Sequence, residues 1–300
     1  MFFPHTISAS MLRILRLAPF VIGLSLMLAS GSVLQAQDLS ESRRATTVVV
    51  RDSLDHRRLT ETLSRYVDEA GNVDYARLKA NADEALAPYL RRLATTDPAT
   101  LSRDARLAFW INAYNALTLK LIVDHDPVDN IWGISPGPPQ PKDNSPFQLT
   151  VGTVADTART LDEIEHEIIR RRFDEPRIHF ALVCAAKSCP PLRHEAYTGP
   201  RLDAQLDDQT QSFLHDDTAN RIRAGADTIA LSRILKWYGQ DFGPTTDALQ
   251  RFAAPYFESR VRRNLADASY EVTFLPYDWT LNDQAHAGGA ASRREADSLP

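Results

Sequence analysis

RIHFALVCAAKSCPP, Arg177–Pro191, is the stretch around which the chain is organised. Ile178, Phe180, Leu182 and Val183 make an apolar, β-compatible run after Pro176, so the pattern predicts a strand. Pro190-Pro191 closes it, because consecutive prolines cannot continue a helix or donate to a ladder. Both cysteines of the chain, Cys184 and Cys189, lie inside it, and His179 precedes them. A reactive sulfur, if the protein has one, is here.

The second strong element is Leu101–Val123, LSRDARLAFWINAYNALTLKLIV. Ser102 is a candidate cap, and from Leu107 onward the segment is apolar on most sides, the mark of a buried helix. Asn112 and Asn115 share a face of it. A buried amide must find partners, so these two either hold neighbouring loop backbone or line a site. Helical spacing also covers Leu54–Val67, Asp83–Ala94 (bent or split at Pro88), Leu202–Leu214, Arg233–Tyr238 after Ser232, and Asp247–Tyr256. Thr160-Leu161-Asp162-Glu163 matches a capping box and opens a helix over Leu161–Arg172. Gln148–Val154, Thr228–Leu231 and Tyr270–Leu275 read as strands, and Asp124–Phe147 is a loop stiffened by the five prolines of Ile131–Phe147. Helices dominate and strands come separated. The expected class is α+β, a helix-rich single domain with a small, mostly antiparallel sheet.

The ends differ from this core. Met1–Ala36 has no acid, carries Arg13 and Arg16, and runs apolar from Leu17 to Leu28. That order predicts a secretory signal peptide over 1–36, starting at Met1 or Met11, with an uncleaved anchor as the alternative. A flexible lead-in over 37–53, a globular domain over 54–283 and a disordered tail over 284–300 complete the division. Cleavage removes two positive charges and moves the net charge from −5 to −7. An acidic mature chain argues against nucleic acid, and against the membrane after cleavage, as partners. The expected location is periplasmic or secreted.

Several stretches together resemble one family. They are LAFWINAYNALTLKLI (Leu107–Ile122), LDEIEHEIIR (Leu161–Arg170), RIHFALVCAAKSCPPL (Arg177–Leu192), EAYT (Glu195–Thr198), LSRILKWYGQDF (Leu231–Phe242) and LPYDWTLND (Leu275–Asp283). They resemble the bacterial and plant domain-of-unknown-function 547 family over about residues 54–283. Membership implies export for many bacterial members and supplies no reaction.

The cysteines admit several readings. Export favours a structural Cys184–Cys189 disulfide, worth about 2 kcal/mol because the loop it closes is small. The best enzymatic expectation is a papain- or transglutaminase-like thiol hydrolase or acyl transferase. Cys189 would be the nucleophile, near Lys187 and Ser188; His179 or His194 the base; Asn112 or Asp278 the orienter. In a flat strand His179 and Cys184 face opposite ways, an objection that Cys189 escapes. Reversible dithiol chemistry is a third reading, although C-x4-C lacks the close spacing of thioredoxin-like motifs. Cys184, Cys189 and His194 supply only three ligands, and His166-Glu167 meets Arg170 where a zinc protease needs its second histidine, so no metal and no cofactor are expected. The non-enzymatic alternative is a periplasmic binding or scaffold module, its cleft lined by Trp110, Tyr114, Trp237 and Trp279 and taking a peptide, glycan or small molecule. The alternative for those aromatics is ordinary core.

Overall fold

The structure, a computed structural model, describes residues 50–134 and 145–286. The expected signal peptide, most of the lead-in, the middle of the proline-rich loop and nearly all of the expected tail lie outside the described residues. At the start of that tail, Gln284 donates to the carbonyls of Tyr66 and Asn72.

A buried helix, Arg103–His125, forms the centre. Seventeen of its side chains are buried, which is why its sequence shows almost no polar face. Each large apolar side chain buried there contributes about 1.5–3 kcal/mol. Ser102 stands at its N-cap without a side-chain cap bond; instead its amide donates to the Arg51 carbonyl. Around this axis pack Arg57–Tyr66, Tyr75–Ala80 and the pair Ala82–Ala85 and Ala87–Thr95, which is broken just before Pro88 as expected. The capping box forms reciprocally: Glu163 N–H donates to Thr160 Oγ1, and Thr160 N–H donates to the Glu163 carboxylate, both at 3.0 Å. The helix it opens is wound in wide π turns over Glu163–Ile169 before closing as α over Arg170–Arg172.

Among the described residues the strands form two separate pairs. Gly152–Val154 and Thr157–Arg159 are an antiparallel hairpin, whereas Thr228–Leu231 and Glu271–Phe274 pair in parallel. The helix-rich α+β class holds, with its β structure divided and half of it parallel. Residues 228–231 and 271–274 are forty residues apart in the chain with helices Arg233–Trp237, Thr246–Ala253 and Ser259–Ala266 between them, and such a crossover permits parallel pairing.

Arg177–Val183 is not a strand. Pro176–Phe180 is a 3₁₀ turn, capped by the Glu175 carboxylate on the Arg177 amide and continued by hydrogen bonds from Ala181 and Leu182 to the Ile178 carbonyl. Among the described residues no strand lies alongside, so the apolar pattern had no ladder to join and burial decided the conformation. Ile178 and Leu182 enter the core built on the long helix, while Phe180 enters a second core with Phe213, Leu231 and Phe242. The turn therefore stitches two apolar cores, and Tyr277 packs against both.

Candidate functional site

Where the two cores meet there is a cavity of about 300 Å³. His179, Cys184 and Cys189 all line it. Because the predicted strand is a turn, the opposite-face objection to His179 and Cys184 disappears.

The cysteine loop is held from two sides. Asn115, buried in the long helix, donates to the Ala181 carbonyl at 2.9 Å and accepts from the Val183 amide at 3.0 Å. Beyond it, the Lys187 and Ser188 amides donate to the Thr280 and Asp278 carbonyls, and the Asn282 amide donates to Ala185. Between these anchors Ala185 adopts φ 62°, a left-handed conformation uncommon for alanine. The resulting bend folds the loop back so that the Cys184 amide donates to Cys189 Sγ at 3.1 Å.

Cys184 and Cys189 are unbonded to one another in the structure, and each sulfur lies 3.2 Å from the Tyr277 hydroxyl. Their environments diverge. Burial pushes the Cys189 thiol up, but hydrogen bonds from the Cys184 thiol, the Tyr277 hydroxyl and the backbone of Ala186 and Cys184 outweigh it, and the net direction is down. Cys184, which gives its hydrogen bond to Cys189 and is half-buried, is raised well above an ordinary thiol. Burial, then the two neighbouring sulfurs, raise Tyr277 as well. Cys189 is thus the more readily ionised of the two thiols.

His179 is only 3 % exposed. Its Nε2 lies 2.7 Å from Asp241 Oδ2, and its ring stacks on Tyr238 with centroids 3.9 Å apart. Arg170 grips the same carboxylate through Nε at 2.6 Å and a terminal nitrogen at 2.7 Å. His179 and then Arg170 hold the Asp241 carboxyl far below the usual carboxylate range. With Nε2 committed to Asp241, Nδ1 is the nitrogen left to accept a proton.

Asn112 does not orient this histidine. It accepts from the Tyr197 amide at 2.9 Å and donates to the Tyr197 carbonyl at 2.7 Å, so both asparagines of the long helix tie loop backbone in place. Asp241 takes the orienting position. Sequence spacing gave no reason to choose it, although Tyr238 and Phe242 on either side both pack on His179. His194 is exposed and Asp278 serves the cysteine loop backbone; neither lines the cavity. Trp110 is core, 2 % exposed and edge-on to Phe109. Tyr114, Trp237 and Trp279 do line the cavity, joined by Trp132, Tyr238 and Tyr277. Among the described residues no group of His, Cys, Asp or Glu is arranged to hold a metal.

Residues 98–214 match the family described as "Protein of unknown function, DUF547". That segment belongs to DUF547. The match agrees with the resemblance read from the motifs and contains Cys184, Cys189, His179 and Tyr114. Trp237, Tyr277 and Trp279 of the wall lie beyond it, as does Asp241 behind His179, so the DUF547 segment supplies only part of the cavity wall. No curated protein and no solved structure matches the chain.

Proposed function

We propose that the protein is a cysteine-dependent hydrolase or acyl transferase acting in this cavity. The observation that carries the reading is that a thiol with a lowered pKa and a histidine held by Asp241 line the same cavity. Cys189 is the nucleophile, His179 the group that takes and returns protons through Nδ1, and Asp241 the positioning residue that fixes its tautomer. Attack of Cys189 Sγ on an acyl carbon forms a C–S bond and expels the leaving group, which takes its proton from His179. Water or a second acceptor then releases the acyl group and restores the thiol. Export to the periplasm or beyond remains part of this proposal and rests on the N-terminal sequence alone. Among the described residues no helix is long and apolar enough to cross a membrane.

The test is acyl-enzyme trapping. An activated thioester mixed with the reduced protein should leave one acyl mass on Cys189, lost in Cys189→Ala and formed far more slowly in His179→Gln. Equal adduct formation by wild type and His179→Gln, or turnover surviving in Cys189→Ala, would overturn it.

A second reading is favoured by the shared contact of both sulfurs with Tyr277. A lowered thiol beside a raised one suits a nucleophilic and a resolving cysteine. The pair would lose two protons and two electrons to form a disulfide, and an external disulfide would be reduced to two thiols. Incubation with glutathione disulfide followed by intact mass distinguishes the two: a loss of two mass units without a glutathione adduct supports exchange, and unchanged free thiols exclude it.

A further inference from the structure

The same cavity holds a buried carboxylate that has no cationic partner among the described residues of its wall. Glu165, on the wide turn of Glu163–Ile169, lines it and is 7 % exposed. It forms no ion pair among the described residues. Burial and then Glu165 raise both Tyr114 and Tyr238, which places the carboxylate close to both rings. Arg170 is the cation within electrostatic reach, but both Asp241 oxygens already hold it and it does not line the cavity. Asp162, one turn earlier, lines the cavity too, with His166 Nε2 at 3.5 Å. Among the described residues the wall includes these two carboxylates and no lysine or arginine. A carboxylate removed from water without a counter-charge costs several kcal/mol, a cost that a cationic ligand would offset.

The rest of the wall has the chemistry to accept such a ligand. Trp279 is the hub: Trp237 stacks near it at 5.8 Å, Tyr277 lies at 4.6 Å and Trp132 meets it edge-on at 5.2 Å between centroids. Trp237 is 47 % exposed, a large apolar surface left at the rim. Aromatic faces around an acidic floor attract alkylammonium groups, which are held by the ring quadrupoles without a hydrogen-bond requirement. A volume of about 300 Å³ fits a small molecule, not a folded partner.

We propose that the cavity binds a small ligand through an alkylammonium group, seated between the Trp237–Tyr277–Trp279 cluster and Glu165. This deepens the thiol reading by naming the substrate class, and it rests on that reading only in taking the ligand to be a substrate. Binding itself needs no reactive sulfur, so the experiment is done on reduced wild type and on Cys189→Ala. Choline, ethanolamine and the neutral choline isostere 3,3-dimethylbutan-1-ol are titrated to about 10 mM, with tryptophan fluorescence as the readout. Saturable quenching by choline or ethanolamine, at least tenfold tighter than by the isostere and retained in Cys189→Ala, is expected. Glu165→Gln should weaken the cationic probe at least tenfold, and Trp237→Ala, at an exposed position that leaves the fold intact, should weaken it as well. Equal binding of the isostere, no binding by either cation, or full affinity in both variants would overturn the proposal. Cationic binding without acyl-enzyme trapping would retain this site and reject the thiol mechanism.

Discussion

His179 Nε2 and Asp241 Oδ2, 62 positions apart in the chain, lie 2.7 Å from one another. That contact joins the 3₁₀ turn after Pro176 to the short helix Gly239–Phe242, and Arg170 completes it from a third element. Three segments are thus fixed by one carboxylate at the edge of the cavity.

Asp241→Asn tests what the charge contributes. The amide keeps the shape but turns charge-assisted bonds into neutral ones, and it presents a donor toward Arg170 or His179. The expected loss is about 2 kcal/mol at neutral pH, trimmed by solvent at a side chain that is partly exposed. The folded carboxyl lies below its ordinary 3.8, so its contribution is present above about pH 4 and fades as pH falls through the lower folded value. Calorimetry should show the gap between wild type and variant narrowing below pH 4. A gap of constant size would mean that shape, not charge, matters.

Tyr277→Phe separates the thiols from their shared hydroxyl. Without that donor the Cys189 thiolate loses one of the bonds that lower it, so its pKa rises. Iodoacetamide labelling of Cys189 should slow several-fold at neutral pH, with the midpoint of its pH–rate curve displaced upward, while Cys184 stays slow in both proteins. An unchanged midpoint would remove Tyr277 from the ionisation argument.

Helix content was largely legible because it rests on periodicity. The long helix, the capping box at Thr160 and the strands at residues 228–231 and 271–274 follow from local pattern. The error at Arg177–Val183 has a definite cause: strand pattern and half-buried 3₁₀ turn use the same apolar residues, and only the absence of a neighbouring strand decides between them. Asn112 and Asn115 show the opposite case, where a buried amide in an apolar helix announced that loops must be tied to it. Asp241 and Glu165 carried no such signal, since an acid among other polar residues has the same appearance whether it faces solvent or a cavity.

Gly71→Ala should be among the most damaging single changes outside the cavity. Gly71 has φ +80°, and a Cβ there would lie 2.6 Å from Pro191 Cα and the Leu192 nitrogen. Neither backbone atom can yield without moving the end of the cysteine loop. Strain and overpacking together should cost about 3 kcal/mol or more. Urea unfolding measures it, and a change under about 1 kcal/mol would show that the loop end moves freely.

His56 makes stability depend on pH well away from the cavity. The ring is buried, with Nδ1 2.7 Å from the Tyr89 hydroxyl and Nε2 without a partner. Burial is the main cause that lowers its pKa from 6.5 to about 4. Between those values the unfolded chain binds a proton that the folded protein excludes, so stability rises with pH in that window. The contribution is complete above about pH 6.5, disappears progressively toward pH 4 and amounts to about 3 kcal/mol. His56→Gln cannot titrate and loses this slope, although the substitution has its own cost at neutral pH. Urea unfolding at about pH 7 and about pH 4.5 should therefore show a markedly smaller pH-dependent loss in His56→Gln than in wild type. Parallel losses in the two proteins would mean that His56 is protonated in the folded state and that another group governs acid sensitivity.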